Sequence, residues 1–556
     1  MAAGTGKKLA LLISISFLLT SLADTANALS FSETTKSDLD SYSDSSSIAS
    51  RSYVAGLGQL ELSPIIQVET SALSANAILS LTWQDSASRL WAGGTSGAGG
   101  LVLAWRRTPA GLWEAVNFGD TLGAFARSMP VLVSLNNTLY GGISLNLNGG
   151  DNCGRLVRWN EGLDTWVLHL NLNASDGDFD GFGRGKMIWN NTAYMSGGRT
   201  NNKTFLVSLD GATGDVDFRS LENPRPTGAV AGEYDGALCG FGTYLYTGQE
   251  RLFYAPLNAR AGADVARAKE YGTFPTHIAQ LDADNEMEVV QMARLNQSGI
   301  GDTLFLLLEG NVAANNVIYT TTDGNSFTGK ISKNALGYSG TFGSGGLGVT
   351  EAFAMRQFGR DIWIGGTLDT VVRYVGDYDT FVHFFNSNMT SGIREFEYFR
   401  GLDGDTWLAI AGANGGGGRI DRFRFSDSGT YISDTRILAS DTWLVADSVT
   451  INAKANGCTI LVSYYFGRDT AELNTRTYGE TFSVIGDSRG SFSFDFSHPL
   501  PSGRASGNAW KQMLYRVYMQ TPNTLITPYF EGLTFYFHQD VTAPETPVVL
   551  TPAENH

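Results

Sequence analysis

The sequence predicts an all-β protein: a β-propeller of about seven blades followed by a C-terminal β-sandwich. Three observations carry this. A hydrophobic strand ending in paired glycines recurs along the chain. A strand and turn precede each copy, and an aromatic-rich strand follows it. Beyond residue 440 the period stops and a different strand pattern begins.

The recurring phrase reads Leu90-Trp91-Ala92-Gly93-Gly94, Leu139-Tyr140-Gly141-Gly142, Tyr194-Met195-Ser196-Gly197-Gly198 and Ile362-Trp363-Ile364-Gly365-Gly366. Weaker copies end at Gly248, Gly310 and Gly412. First glycines at 93, 141, 197, 248, 310, 365 and 412 give steps of 48, 56, 51, 62, 55 and 47 residues. A period of roughly 40–60 residues with strand-like patterning suits four-stranded propeller blades. One blade cannot bury both its faces, whereas a ring of blades buries each face against a neighbour. Gly permits close backbone approach, so the pairs are expected where blades crowd together. Asn136-Asn137 and Asn190-Asn191 are expected turns between the first two strands of their units.

The domain plan follows the period. Residues 1–28 read as a secretory signal, with basic Lys7-Lys8, an apolar stretch over 9–22 and Ala26-Asn27-Ala28 before the cleavage point at Leu29. An uncleaved anchor through 9–22 is the competing reading, and that segment is the one route to a membrane partner. Residues 29–52 are Ser-rich and read as a flexible linker. The propeller is expected over 53–440, with Pro64-Ile65-Ile66-Gln67-Val68 pairing into the last blade to close the ring, and a helical insertion over 259–268. The sandwich is expected over 441–541, and 542–556 as a Pro-containing tail.

Composition narrows the function. Net charge is −16, which repels nucleic-acid phosphates and argues against a nucleic-acid partner. The three cysteines, Cys153, Cys239 and Cys458, are too few and too widely spaced for a disulfide framework or a zinc site, and read as small buried hydrophobes.

The most specific chemical motif is Asp176-Gly177-Asp178-Phe179-Asp180-Gly181. Carboxylates at alternate positions before a turn glycine match the first half of a Ca²⁺ loop, so Asp176, Asp178 and Asp180 are the candidate metal ligands and Ca²⁺ the candidate cofactor. Met187 stands where such a loop carries its bidentate Glu, so a solvated acidic loop is the favoured competitor. Asp282, Asp284, Glu286 and Glu288 form a weaker cluster. No nucleophile motif, phosphate loop or His pair at ligand spacing occurs, so no catalytic residue is assigned. Sequons occur at Asn136, Asn173, Asn190, Asn202, Asn296 and Asn388.

Two resemblances bear on function. Thr321-Thr322-Asp323-Gly324-Asn325-Ser326-Phe327 resembles, in degenerate form, the Asp-box turn of sialidase-type propellers, a structural hairpin. The run Trp510-Lys511-Gln512-Met513-Leu514-Tyr515-Arg516-Val517-Tyr518-Met519, followed by Thr527-Pro528 and a closing strand, loosely resembles sandwiches of bacteriophage tail-associated structural proteins. That resemblance implies a hub, baseplate part or fibre. The resulting expectation is a non-enzymatic structural or binding protein of an extracellular or virion assembly. Its partners would be other proteins or surface glycans, with an oligomer among the expected states. The alternative is a secreted sialidase-like glycan hydrolase or lyase with a carbohydrate-binding sandwich.

Overall fold

The computed structural model describes residues 28–539 apart from internal stretches, the longest being 221–236, 257–287, 336–351 and 497–509. The expected signal segment up to residue 27, the helical insertion at 259–268 and the tail at 542–556 lie outside the described residues. The chain is all-β and divides into two units, one of residues 65–424 and one of residues 1–64 with 425–556.

The first unit is a seven-bladed propeller. Its blades begin with the innermost strands Ala75–Gln84, Ala126–Leu135, Gly181–Trp189, Ala237–Phe241, Glu288–Gln297, Ala352–Phe358 and Ile393–Arg400. Blades 1, 2, 3, 5 and 6 are antiparallel four-stranded meanders, and three strands of blade 4 are described. Each innermost strand packs against the next, and that of blade 7 packs against that of blade 1. The series of innermost strands therefore closes into a ring.

Hydrophobic cores lie between blades. Trp91 and Leu103 of blade 1 pack with Leu132, Trp159 and Trp166 of blade 2. Val131, Tyr140 and Leu156 of blade 2 pack with Phe182, Met195 and Val207 of blade 3. Between blades 6 and 7, Trp363 meets Phe423 with ring centroids 4.8 Å apart. Large aromatics fill these wedges because they bury the most area per residue.

Glycines of three of these pairs sit where one blade approaches the next. Gly93, Gly142 and Gly365 pair with a neighbouring strand next to a β-bulge in the innermost strand of their own blade. There the next blade lies within contact of the glycine. A Cβ at Gly365 would lie 2.5 Å from Ile393 Cγ2 of blade 7, and one at Gly142 would overlap the Phe182 ring of blade 3. The Asn-Asn pairs form the expected hairpin turns, with φ of 48° and 64° at Asn136 and Asn137 and of 45° and 63° at Asn190 and Asn191.

Ring closure uses a strand from the beginning of the chain. Pro64–Leu73 is the outer strand of blade 7, beside Gly417–Phe425. Its Glu69 side chain is 4 % exposed and pairs with Arg107 of blade 1 and with Arg422 of blade 7, the latter at 3.2 Å. Arg422 and Arg424 lie over the Trp407 ring at 4.3 and 4.9 Å. This carboxylate ties first blade to last.

The second unit is a two-sheet sandwich, and here the domain plan is corrected. Residues 29–52 are not a linker. They carry strands Ala28–Glu33, Tyr42–Ser46 and Ile48–Arg51 and a short helix, Lys36–Asp40. Ala28–Glu33 pairs antiparallel with Tyr529–Gln539, and Tyr42–Ser46 with Ser428–Ser433. Gln59–Leu62, expected in the propeller, lies in the first of these sheets, and Ser428–Ser433 lies in the second. The sandwich is thus built from both ends of the chain, and the propeller is inserted between Pro64 and Phe425. Serines on these strands satisfy their backbone in the ladders, so polar composition misled the expectation. Buried Glu33 fixes the N-terminal strand, accepting from the Tyr515 hydroxyl and from Arg436.

Two outcomes follow. Gly365→Ala forces Ile393 aside and is expected to cost about 1–3 kcal/mol, as overpacked cores do, read by denaturant unfolding. Glu69→Ala leaves Arg107 buried without its carboxylate and is expected to cost roughly 3 kcal/mol, read as a lowered midpoint for the propeller transition.

Candidate functional site at the propeller axis

Blades 3 and 7 are not neighbours in a seven-membered ring, so side chains joining them cross its centre. Lys186 of blade 3 reaches Glu397 of blade 7, Nζ to Oε2 3.4 Å, and donates to the Leu81 carbonyl of blade 1. Arg184 of blade 3 donates to the Arg394 carbonyl of blade 7 at 3.3 Å. Arg356 of blade 6 lies 3.5 Å from the same Glu397 oxygen. Four blades therefore meet in one axial cluster.

Strand geometry explains the grouping. Glu395 and Glu397 are two residues apart and share a face of their strand. In blade 3 the bulge between Phe182 and Lys186 interrupts pairing and aims Arg184 and Lys186 inward. Ser196 anchors that bulge by accepting from Gly185 N–H at 3.1 Å. Burial pushes the Glu395 carboxyl above its ordinary value and Glu397 pushes the same way, while Lys186 and Arg356 pull it down. In blade 4, burial pushes the Cys239 thiol up to about 12, with Arg294 and Arg356 pulling the other way.

Asp176, Asp178 and Asp180 are outside the described residues, as are Asp282, Asp284 and Glu286, and Glu288 opens the innermost strand of blade 5. Among the described residues no group of three or more His, Cys, Asp or Glu is placed to hold a metal ion. The sequence reading missed Arg184, Lys186, Arg356, Glu395 and Glu397. Their signal was present as charges at alternate positions, Arg184-Gly185-Lys186 and Glu395-Phe396-Glu397, in the first strand of a repeat, where apolar residues are the rule.

Asp323 closes its turn by accepting from Ser326 N–H at 2.7 Å and from the Thr321 hydroxyl at 2.9 Å. That is a hairpin lock rather than a reactive site. Trp91, Trp105, Trp166, Trp363 and Trp407 are fully buried core side chains.

A second surface stands out. The turns joining strands 1–2 and 3–4 of each meander lie at one end of the blades, because the strands alternate in direction. On this face Leu402 of blade 7, Leu112 of blade 1 and Leu163 of blade 2 are 62 %, 69 % and 68 % exposed, and Trp189 of blade 3 is 38 % exposed. These four blades are consecutive. Beside Leu163 is a cleft of about 360 Å³ lined by Gln84, Asn137, Arg158, Trp159 and Glu161. The Trp159 ring there is already covered by Trp91 and Arg106, at 4.9 and 5.3 Å.

No protein-family model matches this chain, and no curated protein matches it. Among solved structures it is similar to Sqt1 of Saccharomyces cerevisiae, at 9 % identity and TM-score 0.37, covering 64 % of this chain and 99 % of that one. It is similar to a luciferin-regenerating enzyme at 9 % identity and TM-score 0.35, covering 65 % of this chain and 95 % of that one. An exo-β-1,3-galactanase of Phanerochaete chrysosporium, solved with galactose, matches at 8 % identity and TM-score 0.27, covering 85 % of this chain and all of the other. Likenesses this distant assign no activity.

A raised thiol pKa keeps Cys239 in the unreactive form. In native protein at pH 8 its alkylation by iodoacetamide is expected to be far slower than that of the same thiol in denatured protein, as peptide mass spectrometry would show.

Proposed function

We propose that the chain is a non-enzymatic structural or binding protein of an extracellular or virion assembly, of which a phage tail part is one form. Its partners are other proteins or surface glycans. The observation that carries this reading is the arc of exposed Leu402, Leu112, Leu163 and Trp189 on one face of blades 7, 1, 2 and 3. Large apolar side chains gathered at turn tips are costly in water and mark contact surfaces. A signal-like N-terminus at 1–28 is consistent with export.

A second reading, a secreted glycan hydrolase or lyase, is favoured by one observation: two carboxylates, Glu395 and Glu397, sit among cations at the axis. A pair of carboxylates on one strand face is the kind of group that acid–base work on a glycosidic bond uses.

One experiment separates them. The full chain is cross-linked in its native source and compared with Leu163→Asp/Leu402→Asp, and both are screened for glycan turnover. The assembly reading expects a stoichiometric partner lost in the double variant and no turnover. Glycan turnover that vanishes in Glu395→Gln, with the wild type monomeric throughout, would contradict it.

A further inference from the structure

We propose that the cleft beside Leu163 binds one neutral sugar residue, recognised through its hydroxyls. The proposal gives the surface-glycan partner of the reading above a place on the molecule, and it rests on that reading.

Unused bonding groups are the first argument. The cleft is lined by Gln84 of blade 1 and by Asn137, Thr138, Arg158, Asn160 and Glu161 of blade 2. Among the described residues Arg158, an exposed residue, makes no hydrogen bond and no ion pair through its side chain. The Asn137 amide and the Thr138 hydroxyl make none either. Asn160 accepts from Leu163 N–H through its Oδ1 at 3.1 Å and leaves its Nδ2 unused among the described residues. Donors and acceptors therefore stand together around one concavity.

Fixed geometry is the second argument. Gln84 is buried and held at both ends of its amide. Its Oε1 accepts from Trp91 Nε1 at 2.9 Å, and its Nε2 donates to the Asn137 carbonyl at 3.2 Å. The Glu161 carboxylate accepts from Trp159 Nε1 at 2.6 Å and from Arg89 Nη1 at 2.9 Å, one bond on each oxygen. Each oxygen keeps a lone pair for a ligand hydroxyl. Groups held in place before a ligand arrives lose little freedom when it binds.

The make-up of the wall gives the ligand class. Leu139 and Trp159, its large apolar residues, are 0 % and 4 % exposed, so the reachable wall is polar and offers no pocket to an apolar side chain. The lining carries one cation, Arg158, and one carboxylate, Glu161. An anion would meet Glu161 and a cation would meet Arg158, whereas a hydroxyl both donates and accepts and can bond to either. The volume of about 360 Å³ lies near the lower end of the roughly 300–1,000 Å³ of ligand sites, which suits a terminal sugar rather than a chain. Exposed Leu163, next to the lining Gly162, offers an apolar rim to the C–H face of a sugar ring.

The test is isothermal titration calorimetry on the full chain with the methyl α-glycosides of glucose, galactose and mannose. Glucuronate, glucosamine and triglycine serve as contrasts. One site per chain is expected for at least one neutral glycoside, with all three contrasts binding more weakly. Arg158→Met and Glu161→Gln are each expected to weaken that binding roughly tenfold. Thr138→Val exchanges a hydroxyl for a methyl and is expected to weaken it about threefold, which covers the case in which Glu161→Gln does not fold. Lys330→Ala, which removes a lysine paired with Asp379, is expected to leave it unchanged. Absence of binding by all three neutral glycosides would overturn the proposal. So would tighter binding of any contrast, or equal affinity in every folded variant. A cross-linked partner kept by a chain that binds no glycoside overturns the sugar site alone, and absence of both overturns the assembly reading as well.

Discussion

The contact on which the rest of the structure depends is the close approach of each blade to the next. Where Gly142 and Gly365 stand, a Cβ would overlap Phe182 and Ile393 of the following blade unless they shift. The aromatic wedges extend outward from this point, and the bulges of the innermost strands lie beside it. A ring assembled this way has little tolerance for a missing member, and a buried carboxylate on a strand from the start of the chain joins its first and last blades. Non-polar packing supplies most of the favourable energy, since each blade face would otherwise be open to water.

The same constraint produces the axial cluster. Seven innermost strands brought this close force side chains from non-adjacent blades to share one centre. Polar side chains there must be satisfied by one another or by something that enters. Glu397 lies 3.4 Å from Lys186 and 3.5 Å from Arg356, and Lys186 also donates to the Leu81 carbonyl. Glu395 on the same strand is held in surroundings that penalise its charge. Burying these charges costs more than an apolar axis would, and their mutual pairing offsets part of that cost.

Much of the architecture was legible because it repeats. The glycine phrase gave blade number and spacing, and Asn-Asn pairs placed two hairpins, since both signals arise from local backbone requirements. The strand at 64–68 could be placed by topology alone, as the partner a ring of meanders lacks. The N-terminal sandwich strands were not legible. Ser30, Ser32 and Ser45-Ser46 look like solvated linker, and only pairing with segments some 400–500 positions away turns them into strands. The axial residues were hidden for the same reason. Arg184 and Glu397 are 213 positions apart, and no local pattern announces that they face a common centre.

The central claim is that a closed propeller is inserted into a sandwich completed by both ends of the chain. Its most direct test is to produce residues 65–424, residues 425–539 and residues 28–64 separately and follow unfolding by circular dichroism and hydrogen exchange. The account predicts that 65–424 unfolds cooperatively alone. It predicts that 425–539 does so only when 28–64 is supplied, with amides of Ala28–Glu33 and Tyr529–Gln539 becoming protected together. Cooperative folding of 425–539 without the N-terminal segment, at the stability it has in the full chain, would contradict it.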